Sequence, residues 1–125
     1  MKRFEERKQD FKNAVNRLGE GLKEAPDDLR IDGILQRFEF TFELAWKCMK
    51  DYLEKEGIVS SIGSPREIIQ LAFKHNIIND GDKWIDMMLD RNSLSLMYDE
   101  AKSREIYYKI KNEYIKLFEL LQNNM

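Results

Sequence analysis

Between Ile31 and Leu53 the apolar side chains recur in steps of three and four, as Ile31, Ile34, Leu35, Phe38, Phe42, Ala45, Trp46, Met49 and Leu53. That period belongs to an α-helix with one buried stripe; a strand, whose side chains alternate between two faces, cannot present it. A helix is therefore expected over 27–56, and its apolar stripe must be covered by other elements. On its polar side Glu39, Glu43 and Lys47 follow at four-residue intervals, so Glu43 and Lys47 have the orientation that suits an ion pair on a helix surface. Solvated support is their expected role.

The same period organises the rest of the chain. Phe4, Phe11, Val15, Leu18 and Leu22 mark a first helix that Gly19, Gly21 and then Ala25 and Pro26 weaken and stop. The run GIVSSIG at 57–63 is a break, and SPRE after it is a capping box, with Ser64 as N-cap, Pro65 in the first helical position and Glu67 reaching back. The short third helix carries Ile68, Ile69, Leu71, Ala72 and Phe73. It closes at Lys74, His75 and Asn76, a basic last turn followed by a residue that tolerates left-handed geometry. A fourth helix follows Asn79, Asp80 and Gly81 through Trp84, Ile85, Met88 and Leu89. A fifth starts near Asp99 and runs to the C-terminus on a stripe of Ile106, Ile110, Tyr114, Leu117 and Leu121. No alternating run with hairpin turn chemistry is present.

The expected class is all-α, an antiparallel up-and-down four-helix bundle with one helix broken into shorter pieces. The 125 residues suffice for one domain, 1–125, with a core that needs no disulfide or metal. Twenty-one basic and 23 acidic side chains leave a net charge of -2, so no overall basic field draws in a polyanion. The lone Cys48 can form no intrachain disulfide, the opening MKRFEERKQD has no signal-peptide core, and no apolar run is long enough for a membrane. A soluble, cytoplasmic protein is expected. Tyr107, Tyr108, Tyr114 and Phe118 spread round more than one face of the last helix, which suggests that some of them meet a second subunit or a partner.

Self-contained catalysis finds little support. His75, the only histidine, stands at a helix end where a cation suits the dipole, and it lacks the Glu-x-x-His spacing of a di-metal bundle. Asp80, Asp82, Asp86 and Asp90 gather about one helix start and face, as ordinary acidic first turns do, so no metal site is assigned. Cys48 has no CxxC partner. There is no glycine-rich phosphate loop and no Ser-His-Asp set.

One stretch stands apart, DRNSLSLMYDE at 90–100. Continued helically, it puts Trp84, Arg91, Ser95 and Tyr98 along one face and Ile85, Leu89, Asn92 and Leu96 along the adjacent, core-facing one. Arg91 has the bidentate fork for a phosphate, Asn92 can bond a backbone or a substrate, and Tyr98 can stack or offer its hydroxyl. The alternative is an arginine paired with Asp90 or Asp99 and a tyrosine half buried in the bundle.

The blocks RFEFTFELAWKCMKDYLEKEGI, SPREIIQLAFKHNII and WIDMMLDRNSLSLMYDE resemble successive blocks of the nucleotidyltransferase substrate-binding protein family, within the HEPN superfamily, over roughly 37–114. The resemblance implies a helical bundle that dimerises and works beside a separately encoded minimal nucleotidyltransferase. ATP and Mg²⁺ would be that enzyme's cofactors, and this chain would have none of its own. Some members look like the toxin half of a toxin-antitoxin pair, with the motif R-N-x-x-x-H-x-Y and a ribonuclease pair made of its Arg and His. Arg91, Asn92 and Tyr98 match that motif, but Leu96 fills the histidine position. A leucine can neither take nor give a proton, so the acid-base step of RNA cleavage loses a main participant. The resulting expectation is a non-catalytic substrate-binding adaptor, with Arg91, Asn92 and Tyr98 lining the shared groove. The alternative is a HEPN ribonuclease toxin acting on RNA through Arg91 and neutralised by nucleotide transfer to Tyr98.

Overall fold

The computed structural model describes residues 2–58, 63–96 and 99–125, and among these there is no strand. The elements are α1 (Lys2–Leu22), α2 (Asp28–Lys55), α3 (Pro65–Lys74), α4 (Gly81–Leu96), α5 (Glu100–Lys109), a π-helical turn (Ile110–Tyr114) and α6 (Ile115–Asn124). The last three form one continuous rod.

Local chemistry accounts for most of the boundaries. The Asp27 carboxylate accepts the Arg30 N–H at 2.7 Å and starts α2, while Asp80 and Asp99 do the same for Lys83 and Lys102 at 3.1 Å. The expected capping box opens α3: Ser64 Oγ accepts the Glu67 N–H and donates to the Glu67 carboxylate, each at 3.2 Å. Two helices end in the same wrapped cap. Gly57 after α2 has φ 75 and Asn76 after α3 has φ 63, and the following Ile58 and Ile77 donate back to Leu53 and Ala72. Gly63, the last residue of GIVSSIG, leads towards α3, and 59–62 lie outside the described residues.

The pairing of residues fixes the topology. Arg7 near the start of α1 meets Asp51 near the end of α2 at 3.4 Å, so these helices are antiparallel. Arg104 of α5 bonds Asp28 at the start of α2, and Phe38 stacks on Tyr114 with ring centroids 5.7 Å apart, so the rod runs parallel to α2. Lys83 bonds Glu113 and Lys109 bonds Asp90, which sets α4 antiparallel to the rod. The result is an up-and-down bundle of α1, α2, α4 and the rod, with short α3 leading into α4. At its centre Phe118 touches Phe11 of α1, Phe38 of α2 and Trp84 of α4, so one ring joins all four long elements. Each such buried side chain contributes about 1.5–3 kcal/mol.

Two expectations about the last helix need correction. Its apolar stripe does not continue in one phase, because the π turn inserts an extra residue and sets the residues after it back by about 100°. Phe118, not Leu117, is therefore the fully buried residue of α6 beside Leu121. And Tyr107, Tyr114 and Phe118 do not face a partner: all are buried in this chain's own core, leaving Tyr108 as the exposed one.

Candidate functional site

Asp90 and Arg91 are adjacent on α4 and point to different neighbours. Asp90, nearly fully buried, accepts the Tyr114 hydroxyl and, at 3.2 Å, the Lys109 ammonium; Lys102 lies 3.9 Å away. Burial raises the Tyr114 pKa above its ordinary value, and donation to Asp90 raises it further, so the hydroxyl stays a donor. The π turn ends at Tyr114, the residue that reaches Asp90.

Arg91 faces α2. Its Nη2 donates to Glu43 Oε2 at 2.8 Å, and its guanidinium lies over the Phe42 ring at 5.9 Å. Glu43 is shared: the same Oε2 accepts Trp46 Nε1 at 3.2 Å, and Oε1 pairs with Lys47 at 3.2 Å. Burial pushes the Glu43 pKa up, but bonds from Trp46 and Lys47 and the charges of Arg91 and Lys47 outweigh this and hold it below its ordinary value. The carboxylate is thus ionised and a poor general base. Arg91 Nε is buried and has no hydrogen-bond partner among the described residues.

The arginine is therefore ion-paired, as one of the two expectations had it, but with Glu43 rather than Asp90 or Asp99. Because Nη2 already serves Glu43, a phosphate could engage the fork side-on only by displacing that carboxylate. Asn92 and Ser95 are exposed on the next turns of the helix, and Tyr98 lies outside the described residues. Glu43 was expected to be solvated support. Its one legible signal is its place between the aromatic residues Phe42, which is buried, and Trp46, which is half-buried, in FTFELAW.

The two faces assigned to α4 fail at Trp84, Leu89, Asn92 and Leu96, whereas Ile85 packs against the core and Ser95 is exposed, as expected. Trp84 is not beside an open site but wholly buried with Met87 and Met88, whereas Leu89 and Leu96 are 49% and 82% exposed, with Asn92 exposed between them. Apolar residues surround this helix from Trp84 to Leu89, so its periodicity alone does not choose a face; packing of Trp84 against Phe42 and Phe118 does. Leu89, Asn92 and Leu96 consequently form an outward strip, while Ile85 is half-buried against the core and lines a shallow concavity with exposed Phe73 of α3. A depression of about 280 Å³ bounded by Ser93, Leu96, Lys102 and Ser103 lies at its end.

The other candidates have structural places. His75 is the exposed C-cap of α3, and Arg91 stands ten residues into α4, roughly 15 Å along its axis. Among the described residues no three acidic, histidine or cysteine side chains gather to hold a metal, and Asp80 is spent on the α4 cap. Burial pushes the Cys48 thiol up to about 12. No helix is long and apolar enough to cross a membrane among the described residues.

Comparison with known proteins gives these features a context. The family model described as nucleotidyltransferase substrate binding protein like matches residues 6–125. "Probable ribonuclease HepT" of Haemophilus influenzae is 34% identical over 98 residues, which is 76% of this chain and 67% of that protein. A Thermus thermophilus protein of known crystal structure superposes with a TM-score of 0.81 at 32% identity, covering 90% of this chain and 96% of that one. A solved structure from Haemophilus influenzae, reported as the fold of a substrate binding domain of a nucleotidyltransferase, gives a TM-score of 0.71 at 24% identity over 96% of this chain and 94% of that one, a likeness of fold.

Proposed function

Because the chain belongs to the nucleotidyltransferase substrate-binding protein family, we propose that it is the non-catalytic, substrate-binding adaptor of a separately encoded minimal nucleotidyltransferase. It acts as a homodimer, and Arg91, Asn92 and Tyr98 line the groove that it shares with the enzyme. ATP and Mg²⁺ belong to the enzyme. The observation that carries this reading is Leu96: the position that a HEPN ribonuclease gives to its histidine holds an exposed apolar side chain in line with Leu89. A strip of this kind suits contact with another protein and supplies no proton transfer. Size-exclusion chromatography with the purified neighbouring enzyme tests it. A common peak is expected, and a folded chain that never co-elutes would sink the proposal.

A second reading rests on the likeness to a protein called a probable ribonuclease. In it Arg91 cleaves RNA with a base other than the missing histidine, and nucleotide transfer to Tyr98 silences the toxin. RNA cleavage by the purified chain, abolished by Arg91→Ala at unchanged stability, would favour it. Nucleotide transfer is read separately by intact mass after incubation with the enzyme, ATP and Mg²⁺, with Tyr98→Phe as the control.

A further inference from the structure

Phe73, near the end of α3, is 51% exposed and yet held in place. Its ring lies on Gly81, the first residue of α4, where an added Cβ would come within 3.0 Å of the ring's Cγ. A larger residue there would crowd the ring off its seat. Beside the ring is a hollow of about 390 Å³, with Ile69 of α3 and Ile85 of α4 on its apolar side. Asp80 and Asp82 supply the charged part of the lining, and no basic residue takes part in it. Along α4 the two kinds of side chain continue as adjacent rows, acidic at Asp82 and Asp86 and apolar at Ile85 and Leu89. Asp80 accepts the Lys83 N–H as the cap of α4. Asp82 and Asp86 are exposed and form no ion pair among the described residues; the paired aspartates there are Asp28, Asp51 and Asp90. Lys83, the cation between them in sequence, is turned to Glu113 at 2.8 Å.

We propose that this corner seats a cationic amphipathic segment of the partner nucleotidyltransferase, with apolar side chains in the hollow beside Phe73 and lysines or arginines against Asp82 and Asp86. Such a seat presupposes the adaptor role proposed for the chain and names the part of the enzyme that it recognises. A ring already fixed in position loses little freedom when it is covered, which is what an anchor at an interface needs. Adjacent apolar and acidic rows on one helix are matched by a segment whose own apolar row is bordered by cations. The acidic border argues against other occupants. RNA or an anionic membrane surface would bring phosphates to unpaired carboxylates. A second copy in a two-fold contact pairs a patch with itself, which would set these aspartates against their counterparts with no cation in the lining to meet them.

Calorimetric titration of the full chain with the purified neighbouring enzyme, at about 50 mM and about 500 mM NaCl, tests it. Wild type is expected to bind and to lose roughly tenfold or more in affinity at the higher salt. Asp82→Lys/Asp86→Lys should lose roughly tenfold at the lower salt, together with most of the salt dependence. Phe73→Ala should weaken binding about fivefold or more at both. Glu5→Lys/Glu6→Lys, the same change of charge on exposed residues of α1, should stay within about twofold of wild type. All five replaced side chains are exposed, so folded variants are expected, and circular dichroism checks them. A wild type that does not bind an enzyme active in its own assay would overturn the adaptor role and this seat with it. Wild-type affinity that either corner variant keeps, or that the α1 variant loses equally, would overturn the seat alone.

Discussion

Arg91 of α4 and Glu43 of α2, 48 positions apart in sequence, meet at 2.8 Å, and Glu43 also receives Trp46 and Lys47. One carboxylate thereby holds the motif arginine over Phe42. The site is organised in the isolated chain, and the arginine is not a free phosphate fork.

The Glu43 pKa lies below its ordinary value of 4.5, so the folded state binds its proton less readily than the unfolded chain does. Its contribution is complete above the unfolded pKa and is lost as pH falls through the lower, folded one. Glu43→Gln should cost about 1 kcal/mol at pH 7, a figure already reduced for partial exposure. The difference from wild type should shrink below about pH 4. Urea unfolding at several pH values measures this, and a difference that persists unchanged in acid would contradict the ion-paired account.

Asp90 depends on the Tyr114 hydroxyl. Tyr114→Phe keeps the ring stacked on Phe38 but removes a buried donor, and should cost about 1–3 kcal/mol in chemical denaturation. A variant as stable as wild type would mean that Lys109 and Lys102 suffice.

Cys48 is buried, and its thiol is pushed up to about 12 by burial first and by the Asp51 carboxylate next. At pH 8 the native protein should react with an aromatic disulfide reagent only as fast as it opens, and in full once denatured. Rapid labelling of the folded chain would place Cys48 elsewhere.

The outward strip of α4 predicts association. Leu89→Lys with Leu96→Lys should leave the far-ultraviolet spectrum and unfolding midpoint close to wild type, because both side chains are about half in solvent or more already. An unfolded double variant would show that the strip belongs to the core.

Those lysines also mark where sequence and structure part. Ser64, Glu67, Asn76 and Asp99 announce their helix ends because capping is a local exchange of hydrogen bonds, and each acts where its neighbours in sequence predict. The stripe of α2 is equally legible, since its polar and apolar faces differ. α4 is not: Trp84, Ile85, Met87, Met88 and Leu89 are apolar all round, and only Phe42 and Phe118 decide that Trp84 turns inward. The π turn at 110–114 has no marker in its residues IKNEY and shows itself only through Tyr114 on Asp90. Arg91 stands out in the sequence as a candidate, but its partner on another helix does not, because nothing in a linear pattern encodes a contact across two helices.

The most direct test of the adaptor account is the affinity of the neighbouring nucleotidyltransferase for this chain, measured by isothermal titration calorimetry with wild type and with the Leu89→Lys/Leu96→Lys variant. The account predicts a saturable complex with wild type that weakens at least tenfold, about 1.4 kcal/mol, in the folded variant. Equal affinity for both would remove the α4 strip from the interface, and no heat with either, from an enzyme active in its own assay, would contradict the adaptor role itself.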